Sequence, residues 1–303
     1  MKELKILAVV VFFTLVTYWG VEPFAHSIMH KHVEGHDFKY PDINASKVKG
    51  NAQKGKELFA TNCASCHGLK SQGIKAPMDA LSAANTYGVN PPDLSNAGAL
   101  YDEKYLIAFM QNPSQAAKAK KMSMPPIMAG NEQGAADIAA YLKSIAPKEV
   151  SPKEAYVTAC GRCHANSYGK WTQIGDVPKT KFNIKTKNDV ALAEFNVKVQ
   201  KYQDKLADYM GKLPPDLKII VRARSEDYLK TFVEDPQAHL PGTPMPRVGI
   251  TKEGYEKVYK YLESTGDPSK VQREKIGPWV LLYFVIFTLL AYGWYKSNWK
   301  GLK

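Results

Sequence analysis

Cysteine is scarce in this chain: four in 303 residues. Strand patterning is nearly absent as well, which speaks against a sandwich or barrel. Nor does the sequence display an acid–base pair or a nucleophile array of the kind that turns over an organic substrate. What is present is ordinary apolar content, 45%, on a length sufficient for two small domains with cores of their own.

All four cysteines fall in two short stretches, "NCASCHG" at 62–68 and "ACGRCHA" at 159–165. Each reads C-x-x-C-H, the attachment signature of a c-type haem. Two thiols three residues apart reach the two vinyl groups on one porphyrin edge. The following histidine then falls under the iron, where an imidazole nitrogen binds axially. A zinc site built from C-x-x-C pairs has its halves about fifteen to twenty residues apart; here they begin at Cys63 and Cys160, and each carries a histidine that such a site does not need. A thioredoxin-like pair calls for one C-x-x-C on a βαβ pattern, and two structural disulfides are the remaining alternative. The reading adopted is two covalently bound haem c groups, with Cys63, Cys66, Cys160 and Cys163 as thioethers and His67 and His164 as iron ligands.

An internal repeat nominates the other two ligands. "PPDL" occurs at 91–94 and 214–217, and "EKYLIAFMQNP" from Glu103 aligns without gaps to "EDYLKTFVEDP" from Glu226. "MSMPP" at 122–126 matches "TPMPR" at 243–247, and "YLKS" at 141 matches "YLES" at 261. The order is the same in both halves, so one domain has been duplicated. Met124 and Met245 are the matched methionines, each followed by proline, which holds the preceding residue extended and suits a thioether presented from a loop. A His/Met pair raises the potential of a haem iron into the range of electron transfer. Met122 and Met128 compete with Met124; core filling is the ordinary role of a methionine.

Helical periodicity accounts for most of the rest. "NAQKGKELFATNCASCHG" runs into the first motif, and "EQGAADIAAYLKSIA" closes the first domain before Pro147. Ser151 with Pro152 opens the second domain, and Thr251 to Gly266 brackets its closing helix. The second half carries an insertion with Leu192, Phe195, Val199, Tyr202, Leu206 and Tyr209 at three- and four-residue steps, flanked by Asn188, Gly211 and Pro214. This predicts an amphipathic helix of about 188–210, its stripe packed on its own domain or docked on a partner subunit.

Two uncharged runs stand at the ends, Ile6–Val21 and Ile276–Tyr295. The second is long enough to cross a bilayer, with Trp279, Trp294 and Trp299 placed as interfacial aromatics. The first reads as a retained anchor rather than a cleaved signal, since no small-x-small cleavage site follows it. Lys2 and Lys5 before the first run and Lys296, Lys300 and Lys303 after the second suit cytoplasmic ends, but Lys270, Arg273 and Lys275 flank the second run on its other side; attachment of c-type haem outside the bacterial cytoplasmic membrane breaks the tie and puts the body in the periplasm. The formal charge of +12 fits a solvated lysine-rich surface or steering towards an acidic partner; nucleic acid is not an expected partner there. Four of the seven histidines, His26, His30, His32 and His36, lie in "EPFAHSIMHKHVEGHDF", read as a membrane-surface segment touching a partner, with a second metal site as the alternative.

With these features in hand, each half resembles a class I cytochrome c domain. The whole is similar to the dihaem c-type subunit that takes the place of cytochrome c1 in some bacterial cytochrome bc1 complexes. The resemblance implies an all-α fold, with two tandem class I cytochrome c domains and a transmembrane helix at each end. The expected layout is an N-terminal anchor or signal at 1–22 and a periplasmic linker at 23–47. Domain 1 follows at 48–148, domain 2 with the inserted helix at 149–268, and the C-terminal transmembrane helix at 276–296. It further implies a relay of single electrons within a quinol–cytochrome c reductase of the inner membrane, with cytochrome b and a Rieske iron–sulfur protein as partners and a soluble cytochrome c or terminal oxidase downstream. The rivals are the dihaem subunit of a cbb3-type oxidase, a free dihaem carrier, and a dihaem peroxidase, which needs one iron without a methionine.

Overall fold

The computed structural model describes residues 2–29, 33–179 and 190–300. Helices α1 (Lys2–Val16) and α2 (Glu22–Met29) are joined through a π-helical turn at Thr17–Val21. The first half follows as α3 (Ala52–Asn62), α4 (Ala80–Tyr87), α5 (Ala97–Leu100), α6 (Glu103–Gln111), α7 (Pro113–Ala116) and α8 (Glu132–Ser144). The second half holds α9 (Pro152–Ala159), α10 (Val190–Met210), α11 (Ile220–Ala223), α12 (Glu226–Glu234), α13 (Pro236–His239) and α14 (Lys252–Gly266), and α15 (Lys270–Asn298) ends the chain. Among the described residues, strand is confined to the pair β1 (Trp171–Thr172) and β2 (Gly175–Asp176). The chain is mostly helical, as its patterning predicts.

Local chemistry sets the helix starts. The Asn51 side chain accepts from the backbone of Gln53 and Lys54 at the head of α3. Ser151 and Glu154 form a reciprocal capping box at α9, and Thr251 caps α14 through Gly254 N–H. The sequence repeat is also a repeat of elements. The Tyr-Leu-x-x-Phe helices α6 and α12 each run straight into a short helix opened by proline. Their paired rings, Tyr105–Phe109 and Tyr228–Phe232, stack at the same 5.7 Å.

In the first half α3 crosses α8 so closely that a Cβ on Gly55 would fall 1.9 Å from the Asp137 carbonyl oxygen. Phe59, Leu69, Ile138 and Leu142 fill the core beside it. In the second half α9 lies on α14, with the Tyr156 and Tyr261 rings 4.8 Å apart. Gly266, expected just past the end of α14, is instead its last residue, and Asp267 is the cap. Glycine is needed there by close approach, since a Cβ would sit 2.7 Å from the Lys218 carbonyl oxygen.

The second core is not made by the second half alone. Phe38, Tyr40 and Ile43 are buried in it, together with Leu100 and Tyr105 of the first half. The segment read as a linker, 23–47, therefore begins as helix α2 and continues, past the undescribed residues, as a strap built into the core. Asp37, Phe38 and Tyr40 take positive φ angles of 54°, 60° and 42°, a costly conformation for residues with side chains. Several contacts hold it. Buried Glu234 accepts from the backbone N–H of His36 and Phe38. Tyr40 Oη donates to the Ile250 carbonyl at 2.6 Å, and Asp37 pairs with Lys230 and Lys252. Of the histidines singled out above, His30, His32 and the His26 side chain lie outside the described residues.

Among the described residues two helices are long and apolar enough to cross a membrane, Lys2–Ala25 and Lys270–Asn298, and none of their apolar stretch is buried against protein. Tyr295 Oη donates to Glu3 Oε1 at 3.3 Å, which brings the outer ends of the two helices together. The C-terminal helix is longer than the 276–296 expected from apolar content. Its polar first turns are held by the body: Arg273 makes a two-pronged contact with buried Asp267, and Lys270 pairs with Glu263.

The hydrogen bonds from Lys230 and Lys252 hold the Asp37 carboxyl down to about 2, from its usual 3.8. Its stabilisation is complete above the usual value and is lost as pH falls from there towards 2. Asp37→Asn is expected to lower the denaturation midpoint near neutral pH, with the gap to wild type closing below about pH 4. A gap unchanged across that range in urea titrations would refute it.

Candidate functional site

Each C-x-x-C-H motif is the turn that ends a helix. Cys63 caps α3, its N–H donating to the Phe59 carbonyl at 2.8 Å; Cys160 caps α9, donating to Tyr156 at 2.8 Å. The chain then tightens in the same way twice. Cys66 N–H donates to Cys63 O at 3.1 Å and His67 N–H to the same oxygen at 2.9 Å. Cys163 and His164 repeat this on Cys160 at 3.1 and 2.9 Å.

The histidines are oriented by the other repeated motif. His67 Nδ1 lies 2.9 Å from the Pro92 carbonyl oxygen, and His164 Nδ1 lies 2.8 Å from that of Pro215. A carbonyl only accepts, so the proton sits on Nδ1 and Nε2 keeps its lone pair for a metal. Pro92 and Pro215 are the second prolines of the two PPDL stretches, which sequence reasoning used only to mark the repeat. The loops are anchored alike. Leu94 N–H donates to Gly68 O and Leu217 N–H to Ala165 O, each at 2.9 Å. Asp93 takes the Lys70 N–H, and Asp216 takes that of Ser167.

Burial biases the protonation states the same way. It lowers His67, with the Pro92 carbonyl opposing and the nearby Arg162 charge assisting. It lowers His164 too, against Pro215 and Asp216. Neutral imidazole is the ligand form. Burial pushes the Cys63 thiol up to about 11 and Cys160 up to about 12, and raises Cys163. All four cysteines are unpaired. Protonated thiols are poor metal ligands and poor redox nucleophiles, but they are what adds across a vinyl double bond. An imidazole with a free Nε2 beside two unpaired thiols, formed twice, fits haem c.

The methionines stand apart from one another in character. Met128, 4% exposed, belongs to the core, and its sulfur faces Asn131 Nδ2 at 4.0 Å. Met122 and Met124 are half-buried, and Met124 packs against the core that contains Cys63. Met245 is half-buried, its N–H donating to Thr243 Oγ1 at 3.4 Å. These placements make Met128 a core filler and leave Met122, Met124 and Met245 on loops.

Residues 52–146 match the family model for Cytochrome c. A cytochrome c of Theileria parva is 31% identical over 117 residues, covering 97% of that protein and 36% of this chain. The chain belongs to the cytochrome c family. It is therefore an electron carrier of the kind that holds covalent haem c, and the matched residues contain the first motif. A cytochrome c1 of Allochromatium vinosum is 23% identical over 199 residues, 48% of this chain and 81% of that protein. A solved structure titled "Hyperthermophilic respiratory Complex III" aligns over 100% of both chains at 21% identity with a TM-score of 0.33.

The inserted helix ties the second motif of this cytochrome to the first half. Helix α10 is described from Val190 to Met210, so Asn188 lies outside the described residues; Gly211 ends it with a φ of 81°. Its stripe does not pack on its own half alone. Tyr202 and Leu206 are fully buried against Ala84 of α4, in the first half. Tyr202 Oη accepts from Asn90 N–H at 3.2 Å and donates to the Arg162 carbonyl, inside the second motif, at 2.9 Å. Tyr209 Oη accepts from Ser123 N–H at 3.0 Å, beside Met124. The alternating steps revealed the stripe but not its target. Tyr202→Phe leaves the Asn90 N–H and the Arg162 carbonyl without this partner and is expected to cost about 1–3 kcal/mol, read as a lower denaturation midpoint; an unshifted midpoint would show that the bridge is not structural.

Proposed function

We propose that this cytochrome is a membrane-anchored dihaem carrier that relays single electrons in a quinol–cytochrome c reductase, between a Rieske iron–sulfur protein and a periplasmic cytochrome c or terminal oxidase. One observation carries the dihaem part: the turn, the two thiols and the histidine with its Nδ1–H on a proline carbonyl are built twice. Cys63, Cys66, His67 and Met124 would hold the first haem, and Cys160, Cys163, His164 and Met245 the second. Haem c supplies a reversible one-electron iron couple, placed at raised potential by a His/Met ligand pair.

The chain's own part is to fix ligands and exclude water. Pro92 and Pro215 orient the imidazoles and strengthen them as ligands. Prolines 125 and 246 keep the methionine loops out of helix. The tandem domains, 48–148 and 149–268, share one packed body, so the two sites sit in a fixed relation.

The reductase context is supported by the likeness to a cytochrome c1 and by the apolar helix at the C-terminal end, with its mate at the N-terminal end. Cytochrome b and the Rieske protein are the proposed partners in the inner membrane, with the body in the periplasm.

Intact mass is expected to exceed that of the apoprotein by two haem groups, resistant to acid–acetone, and Cys160→Ala with Cys163→Ala to leave one. A single haem on the wild type would end the dihaem assignment. Purification in mild detergent is expected to bring a b-type cytochrome and a Rieske protein. Copper–haem oxidase subunits in their place would move the chain to a cbb3-type oxidase.

A further inference from the structure

Arg247 follows Met245 and Pro246 directly, and its guanidinium is 2% exposed. A charge that deep is unfavourable unless every side of it is met. Here the partners come from elsewhere in the chain. Nε and Nη2 donate to the Ala116 carbonyl of the first half at 2.9 and 2.7 Å, and Nη1 donates to Asp42 of the strap at 2.7 Å. The plane lies 5.3 Å from the Tyr40 ring and 6.0 Å from that of Tyr105, a cation–π setting. Burial resists ionisation of Asp42, but Arg247 and Lys118 outweigh it and hold the carboxyl below its usual value.

The backbone is gripped as firmly. Arg247 N–H donates to Ala117 O at 2.8 Å, and Tyr105 Oη donates to Arg247 O at 2.6 Å. Asp102 N–H donates to Gly249 O at 2.9 Å, and Thr251 N–H to Leu100 O at 2.8 Å. Gly249 has a φ of 73°, and a Cβ there would strike the Tyr105 ring at 1.9 Å. The aligned position in the first half is Pro126, exposed and without a side-chain donor. The repeats thus differ at this position: a buried arginine clamps the second methionine loop to the first half, while the first loop meets the second half through Tyr209, which accepts from Ser123 N–H.

We infer that Arg247 is a positioning residue for the second haem site: it pins the Met245–Pro246 loop to the first half and the strap, and so presents the Met245 sulfur as the sixth ligand. The inference rests on Met245 being that ligand. Ligation at the second site then depends on the packing of the first half.

The test uses full-length haem-loaded protein in detergent, comparing wild type with Met245→Ala, Arg247→Gln, Arg247→Lys and Asp42→Asn. The readouts are the ferric methionine–iron charge-transfer band, carbon monoxide binding by the ferrous protein, and the two midpoint potentials. Met245→Ala is expected to remove one haem's share of the band and open that haem to carbon monoxide. Arg247→Gln is expected to do the same and to lower one potential, with Arg247→Lys and Asp42→Asn intermediate, because each keeps part of the clamp. A band unchanged in Met245→Ala would overturn the ligand assignment. A band lost there but intact in all three clamp variants, with no carbon monoxide bound, would overturn the positioning role alone. Should Arg247→Gln fail to fold, Arg247→Lys and Asp42→Asn decide the matter, since both leave a cation in place.

Discussion

A hydrogen bond from a histidine Nδ1–H to a proline carbonyl, made at His67 and again at His164, is the constraint on which both sites depend. It settles the tautomer, aims the ring, and leaves Nε2 free. For the bond to form, the C-x-x-C-H turn must be tight and the PPDL loop must lie across it. The cores of the two halves and the Asp93 and Asp216 contacts secure that arrangement. Burial of the imidazole favours the neutral form that a metal needs, so packing and ligand chemistry act in the same direction.

The halves are held as one body by polar groups that have partners across the junction. Tyr202 spans from Asn90 to Arg162, Arg247 from Asp42 to Ala116, and Tyr40 reaches Ile250. Each is buried, so each bond made is backed by the cost of leaving it unmade. The strap accepts three residues of positive φ in order to lie in this junction. It leads back towards the N-terminal apolar helix, and the Arg273–Asp267 contact ties the C-terminal one to the end of α14. The C-terminal candidate membrane helix is therefore joined to the body through described chain, whereas residues 30–32, between α2 and the strap, lie outside the described residues.

Much of this was legible locally. The two motifs, the caps at Ser151 and Thr251, the matched helices α6 and α12, and the stripe of α10 are features of short range, carried by spacing and by residue type. What was not legible depended on which surfaces meet. Gly266 looked like a helix stop but is a site of close approach. The segment at 23–47 looked like a tether, because its buried residues are few and lack a period. PPDL marked a repeat, although its working part is a backbone carbonyl, which no side-chain pattern can display.

The sequence by itself determined the helical class, the repeated motifs, the family of the first half and the positions where thiol and imidazole stand together. These follow from covalent spacing and helical period, which act over a few residues. Only the tertiary structure decided the histidine tautomers, the target of α10, and the clamp on the Met245 loop. Those depend on contacts between residues such as Asp42 and Arg247, far apart along the chain and brought together by shared burial.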